Sequence, residues 1–235
     1  MLFAALTLVL AAGVPEIDTA KSALKALERK HGIDIVWEQE FREENDHGTV
    51  LAKRARNEDL IKFAPMLATA MEMYPAKMWE SGKVETIVLS KECLRDGVKW
   101  GGFAVHARKA LVLDISQSHN PDWQRSVFHH ELFHLIDPIE NAQWEKLNVQ
   151  DFAYRPVERP SAISKDQTRK GFLNAYSRSA AGEDRAEIFA FMVSDPKKVA
   201  EQSKGDWVLK QKIASMKSGT AVYGLDAAWW KKRGF

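Results

Sequence analysis

Val127-Phe128-His129-His130-Glu131-Leu132-Phe133-His134-Leu135-Ile136-Asp137 decides how the rest of this 235-residue chain is read. Within it, His130 to His134 spell H-E-x-x-H. The flanks predict a helix. Asn120 can accept a free backbone N–H as a cap, and Pro121 suits the first turn, where its missing N–H costs nothing. Asp122 adds negative charge at the positive end of the helix dipole. Pro138 ends the run by disfavouring helical geometry in the residue before it. On such a helix His130 and His134 stand one turn apart on one face, as two imidazoles binding one Zn²⁺ would. Glu131 then lies beside the metal, free to take a proton from an activated water. The competing reading is an amphipathic core helix with two ordinary histidines.

Three short apolar or β-branched runs precede this helix: Val84–Leu89, Gly101–His106 and Ala110–Asp114. Ala107-Arg108-Lys109 suits a hairpin between the last two. Further back, Ile33–Trp37 reads as a strand and Glu38–Asp46 as a charged ribbon or loop. Helices are expected from Pro15 to His31 and after a cap at Asn57, where Leu60, Ile61, Ala64, Leu67 and Met71 form a stripe closed by Pro75. Met66, Met71 and Met73 are read as core rather than ligands. His106 and His119 lack metal-ligand spacing to a partner.

After Pro138 the chain looks irregular, with proline-marked loops around Arg155-Pro156 and Arg159-Pro160. The Arg155–Gly171 stretch is expected to border a cleft. Helix returns over Glu183–Val193, stopped by Pro196, with further helices over Lys198–Gln202 and Trp207–Met216. Trp229-Trp230 reads as a packing anchor.

A catalytic zinc site needs a third protein ligand and an open position. Glu140 lies six residues after His134, a spacing that serves where a glycine turns the chain back, but Asp137-Pro138 occupies the turn here. Glu183 is the better candidate, with Glu187 one turn further on the same side. Glu187 would accept a hydrogen bond from the free N–H of a ligating histidine. Tyr176, seven residues before Glu183, is a candidate oxyanion donor, with Tyr154 as its alternative.

His130-Glu131-Leu132-Phe133-His134 followed by Glu183-Asp184-Arg185-Ala186-Glu187 resembles the gluzincin metallopeptidases. The order Tyr176, Glu183, Ala186-Glu187, Phe189 is similar to the branch holding anthrax lethal factor and the Pro-Pro endopeptidases. The resemblance covers about Val127–Val193. It implies His130, His134 and Glu183 as zinc ligands, Glu131 as general base and Tyr176 as oxyanion stabiliser. Asp184-Arg185 departs from that branch, which usually carries aromatic residues there.

The expected fold is α+β and zincin-like. A small, mostly antiparallel sheet (about 33–119) would precede the H-E-x-x-H helix in a catalytic helical part (about 120–235), both within one domain, 14–235. The expected activity is hydrolysis of peptide bonds in a peptide or protein substrate, with one Zn²⁺ per chain; the alternative is a non-catalytic zinc-binding interaction module. A third reading makes the motif accidental in an exported helical interaction protein.

Composition sets the bounds. Apolar residues make up 45% and charged residues 28%, as in ordinary globular chains. A net charge of +2 gives no electrostatic footprint for nucleic acid. The single Cys93 excludes an internal disulfide and is expected to be a buried thiol. Met1 to Gly13 is apolar, uncharged and too short to span a membrane, and Ala11-Ala12-Gly13 looks like a cleavage site. Residues 1–13 are therefore expected to be a signal peptide, with export (secreted or periplasmic) and no stable membrane insertion.

Overall fold

The computed structural model describes residues 16–45, 48–117, 120–156 and 170–235. The expected signal peptide and His119 lie outside these residues, as does most of the Arg155–Gly171 stretch.

The chain opens with α1 (Glu16–His31), β1 (Asp34–Val36), β2 (Phe41–Asn45), β3 (Gly48–Arg54), α2 (Asn57–Glu72) and α3 (Ala76–Trp79). Then come β4 (Thr86–Arg95), β5 (Val98–Lys99), β6 (Gly102–Val105) and β7 (Ala110–Asp114). Helices then follow: α4 (Pro121–Ile136), α5 (Asn141–Glu145), α6 (Ala181–Ser194), α7 (Pro196–Ser203), α8 (Trp207–Thr220) and α9 (Ala227–Lys231). The fold is α+β, as expected.

The seven strands form one sheet, whose main path runs β2-β3-β4-β7-β6. Long β4 is its spine. Its first half pairs with β1 and β7, both parallel; its second half pairs with β3 and β5, both antiparallel. The sheet is therefore mixed at its centre and antiparallel towards its edges, where β2 pairs β3 and β6 pairs β7. The sheet is thus mostly antiparallel, as expected, with two parallel pairs around the first half of β4; parallel neighbours need long crossovers, and the helices between β1 and β4 provide one.

β3 and the second half of β4 go beyond the expected strands. Lys91 and Glu92 interrupt apolar alternation there, and Glu92 sits at φ 54° in a bulge where the β3–β4 register shifts. Asp96-Gly97, both at positive φ, turn β4 into β5 as a two-residue hairpin. At α2 the cap is also corrected. Asn57 lies inside the first turn, Arg56 holds the cap position, and no side chain caps it.

One apolar cluster runs through the molecule, from Leu24 of α1 to Trp230 of α9. It takes one sheet face through Ile35, Ile87, Leu89, Leu111 and Leu113, and the inner faces of α2, α4 and α6. Phe128 and Phe133 of α4 are fully buried in it, each worth about 1.5–3 kcal/mol over an exposed ring. The opposite sheet face holds a smaller cluster around Val88, Phe103 and Val112. Trp229 and Trp230 are buried, as expected of an anchor, and Trp229 Nε1 donates to the Met73 carbonyl at 2.9 Å. Cys93 is fully buried, as expected. Among the described residues, no helix is long and apolar enough to cross a membrane.

Candidate metal centre

α4 begins as its sequence predicts. Asn120 Oδ1 accepts the Trp123 N–H at 3.1 Å, and Pro121 occupies the first turn. At the other end Asp137 turns extended, φ −54° and ψ 111°, before Pro138. Phe133 of α4 meets Phe189 of α6 with ring centroids 4.8 Å apart. Packing of these two helices sets the first turn of α6 against His130 and His134.

His130 Nε2 lies 3.0 Å from Glu183 Oε2 and 3.1 Å from His134 Nε2. His134 Nε2 lies 3.4 Å from the same Glu183 oxygen. Three ligands about 2.05 Å from a tetrahedral zinc would be roughly 3.3 Å apart. The triangle has that size, and its donors are the nitrogen and oxygen types that zinc takes. These three residues lie close enough together to bind one metal ion.

Protonation inside the triangle follows from charge. Burial disfavours a charged His130, but the Glu183 and Glu187 carboxylates outweigh it and hold His130 well above the usual imidazole range. Burial likewise opposes ionisation of Glu183, and His134 and His130 outweigh it, holding that carboxyl well below its usual range. A divalent cation supplies the same compensation and would release the proton.

Glu187 Oε1 lies 2.9 Å from His130 Nδ1, and its other oxygen accepts a hydrogen bond from Asn174 Nδ2. Asn174 is itself fixed by the turn before α6, where its Oδ1 accepts the Ser177 N–H at 2.9 Å. The chain Asn174–Glu187–His130 sets the plane of the imidazole from behind. Tyr176 lies in that turn, its ring centroid 5.9 Å from that of His130. Burial, and the Glu183 and Glu131 carboxylates nearby, raise its hydroxyl far above the usual phenol range.

Glu131 points into a cleft of about 320 Å³ walled by Trp100, Gly101, Gly102, Trp123, Val127 and Phe191, among others. A Cβ at Gly102 would stand 3.1 Å from Glu131 Cγ, so strand β6 passes directly over the carboxylate. Crowding by protein, and then the charge of Glu183, raise its carboxyl above the usual range, against the pull of both histidines.

The other sequence candidates lie elsewhere. Glu140 is exposed at the start of α5 and takes no part in the triangle. Tyr154 donates instead to Asp184 Oδ2 at 2.9 Å. His106 is exposed in the turn between β6 and β7. Met71 belongs to the core, and Met66 and Met73 pack on it.

Asp184 and Arg185, the departure noted in the sequence, have a structural task. Asp184 Oδ2 accepts from Lys212 Nζ at 2.6 Å, Trp144 Nε1 at 2.8 Å and the Tyr154 hydroxyl. Both Asp184 and Lys212 are fully buried. Arg185 donates to Asp137 Oδ2 at 2.6 Å and Asn141 Oδ1 at 2.8 Å. Since Asp137 closes α4, Arg185 ties the first turn of α6 to the end of the histidine helix. Sequence reasoning missed Asn174 and the aromatic wall. Asn174 carries no local signal, but Trp123, Val127 and His130 share a helical stripe that could have been drawn.

No family model matches the sequence, and no curated protein matches it. A solved structure does. Over 93% of this chain and 93% of its own, the crystal structure of a putative zinc-binding metallo-peptidase from Bacteroides caccae ATCC 43185 is similar, with a TM-score of 0.57 and 16% identity. That likeness is one of fold.

Proposed function

We propose that this protein is a zinc-dependent peptidase of zincin-like architecture, with His130, His134 and Glu183 holding one Zn²⁺. The observation that carries the reading is the triangle of donors beside an open cleft, with a carboxylate that is not part of the triangle. Its likeness in fold to a protein described as zinc-binding points the same way.

When bound, Zn²⁺ supplies Lewis acidity, lowering the pKa of water and polarising a carbonyl. Glu131 takes a proton from the attacking water and later delivers it to the leaving amine. Glu131 lines the cleft and is not part of the donor triangle, which leaves its carboxylate available for both halves of that transfer. The Tyr176 hydroxyl, kept protonated by its surroundings, donates to the oxyanion formed from the scissile carbonyl. Glu187 and Asn174 hold His130 in register, and the aromatic wall shields the reacting groups from bulk water. Peptides and proteins are the proposed substrates.

The runner-up is a zinc-binding module without catalysis. A structural zinc site is closed by four protein ligands, whereas among the described residues three donors form the triangle and one of them, His130, lines the cleft. Glu131→Gln is the test. Peptide hydrolysis should fall by about 10²–10⁴-fold with zinc content unchanged. Hydrolysis that persists in this variant would remove Glu131 from the mechanism, and zinc retained without any activity in the wild type would favour the module.

A further inference from the structure

The cleft beside the triangle is walled by large apolar side chains to which the peptidase reading gives no task beyond keeping out water. Trp100 enters it from the link between β5 and β6, Trp123 and Val127 from the first half of α4, and Phe191 from α6. Trp123 is 39% exposed, so part of an indole stays uncovered beside the proposed reaction centre.

The two tryptophans are held differently. The Trp100 ring centroid lies 6.4 Å from that of buried Phe103, which backs it against the sheet. Trp123 lies on bare backbone, since a Cβ at Gly101 would stand 2.6 Å from its ring. A smaller void, lined by Phe63, Leu113 and Gln124, also has Trp123 in its wall. The indole borders both spaces, and its removal would join them.

Charge narrows what the cleft can take. No lysine or arginine lines it among the described residues, so an acidic side chain finds no counter-charge from the wall. Both Glu187 oxygens are engaged, by His130 Nδ1 and Asn174 Nδ2, and Glu131 serves the attacking water, so a basic side chain finds no free carboxylate. What remains is aromatic and aliphatic surface, which holds a ring by buried area and by offset or edge-to-face contact. At about 320 Å³ the cleft stands at the lower end of the roughly 300–1,000 Å³ that ligand pockets span, which suits one large side chain.

We propose that Trp100 and Trp123 are specificity residues that seat an aromatic side chain of the residue next to the cleaved bond. The proposal rests on the peptidase reading, because His130 and Glu131 line the same cleft and place the seated ring beside the reacting carbonyl.

The test uses zinc-loaded protein and one uncharged peptide scaffold, varied at a single position among Phe, Trp, Leu, Ala, Lys and Glu. Mass spectrometry of the products gives both the rate and the cut. The kcat/KM for Phe should exceed that for Ala by about 10–100-fold, with Leu between, Lys and Glu no better than Ala, and the cut beside the varied residue. Trp123→Ala should lower the Phe preference by about tenfold and raise Trp above Phe, because the larger ring system fills the joined space. Trp100→Leu should also lower it, and Trp207→Ala, which removes an exposed indole outside the cleft lining, should not. Zinc content and unfolding midpoint check that each variant is intact. Equal rates for Phe and Ala, or a preference that survives both cleft variants, would overturn the proposal and leave the peptidase reading standing. The same peptides are titrated by calorimetry into zinc-loaded Glu131→Gln protein. No cleavage by the wild type, with a binding preference for Phe that Trp123→Ala removes, would sink the peptidase reading and leave a cleft that recognises aromatic side chains. No cleavage and no such preference would overturn both.

Discussion

The first two turns of α6 carry four charged side chains, and they fall into two regions with opposite chemistry. Glu183 and Glu187 face α4 and meet histidines, an asparagine and the Tyr176 hydroxyl, with no lysine or arginine among them. Asp184 and Arg185 face away and meet protein groups of opposite charge, Lys212 and Asp137. A buried carboxylate with a protein cation is a tie between elements. One that meets imidazoles, beside a cleft, is balanced by protons that a metal ion can replace. Position on the helix, not residue type, divides the two roles.

The sharpest way to break this comparison is to remove one carboxylate from each kind of place. Glu183→Ala should take zinc content from about one per chain to near zero after dialysis, since a three-donor site loses a ligand outright. Glu140→Ala, six residues past His134 but outside the triangle, should leave it unchanged; elemental analysis of both proteins decides between them. On the other side of α6, Lys212→Met leaves Asp184 buried without its cation and should cost about 3–5 kcal/mol in urea unfolding. Pairing it with Asp184→Asn should recover a large part of that loss. If the double variant is no more stable than the single, the tie is not electrostatic.

A finer probe is Glu187→Gln, which keeps the shape but removes the charge behind His130. Zinc affinity should drop by about 10–100-fold in competition with a chelator, with little change in unfolding midpoint. A further probe, away from the site, concerns the thiol beneath the sheet. Burial, opposed by a hydrogen bond with Ser90, pushes Cys93 up to about 12. The unfolded thiol loses its proton near pH 8.5 and the folded one does not, so folding binds more protons above that point. Its contribution is complete below about pH 8.5 and is lost as pH rises towards 12, by about 1.4 kcal/mol per unit. The difference in stability between wild type and Cys93→Ala should therefore shrink from pH 8.5 to 10.5. A constant difference would mean the thiol ionises as freely folded as unfolded.

Much of this arrangement is local and could be read from the chain. The cap at Asn120, the break at Pro138 and the one-turn spacing of His130 and His134 are all set within a few residues. Glu183 and Glu187 show the same spacing on α6, so their meeting with the histidines needed only that the two helices pack. What escaped was non-local or masked by charge. Asp184 and Arg185 look like a solvated helix start until Lys212 and Asp137 arrive from distant parts of the chain. The second half of β4 carries a bulge that breaks the two-residue rhythm, and its Asp96-Gly97 turn was the signal left unused. Tyr154 and Tyr176 could not be separated by spacing, because their difference lies in which carboxylate each reaches.

The passage of β6 over Glu131 bears on which sequences evolution can explore. Gly102 offers no chemistry, yet a methyl group there would press on Glu131 Cγ from 3.1 Å and on the Val112 carbonyl from 3.0 Å. A neighbouring methyl at Gly101 would meet the Trp123 ring at 2.6 Å. In a saturation survey of variants, Gly102 should resist replacement more than Gly101, because its close neighbours include the Val112 backbone carbonyl, whereas Trp123 is an exposed side chain that can turn aside. Drift at Gly102 is opposed by the space that Glu131 and β7 already fill.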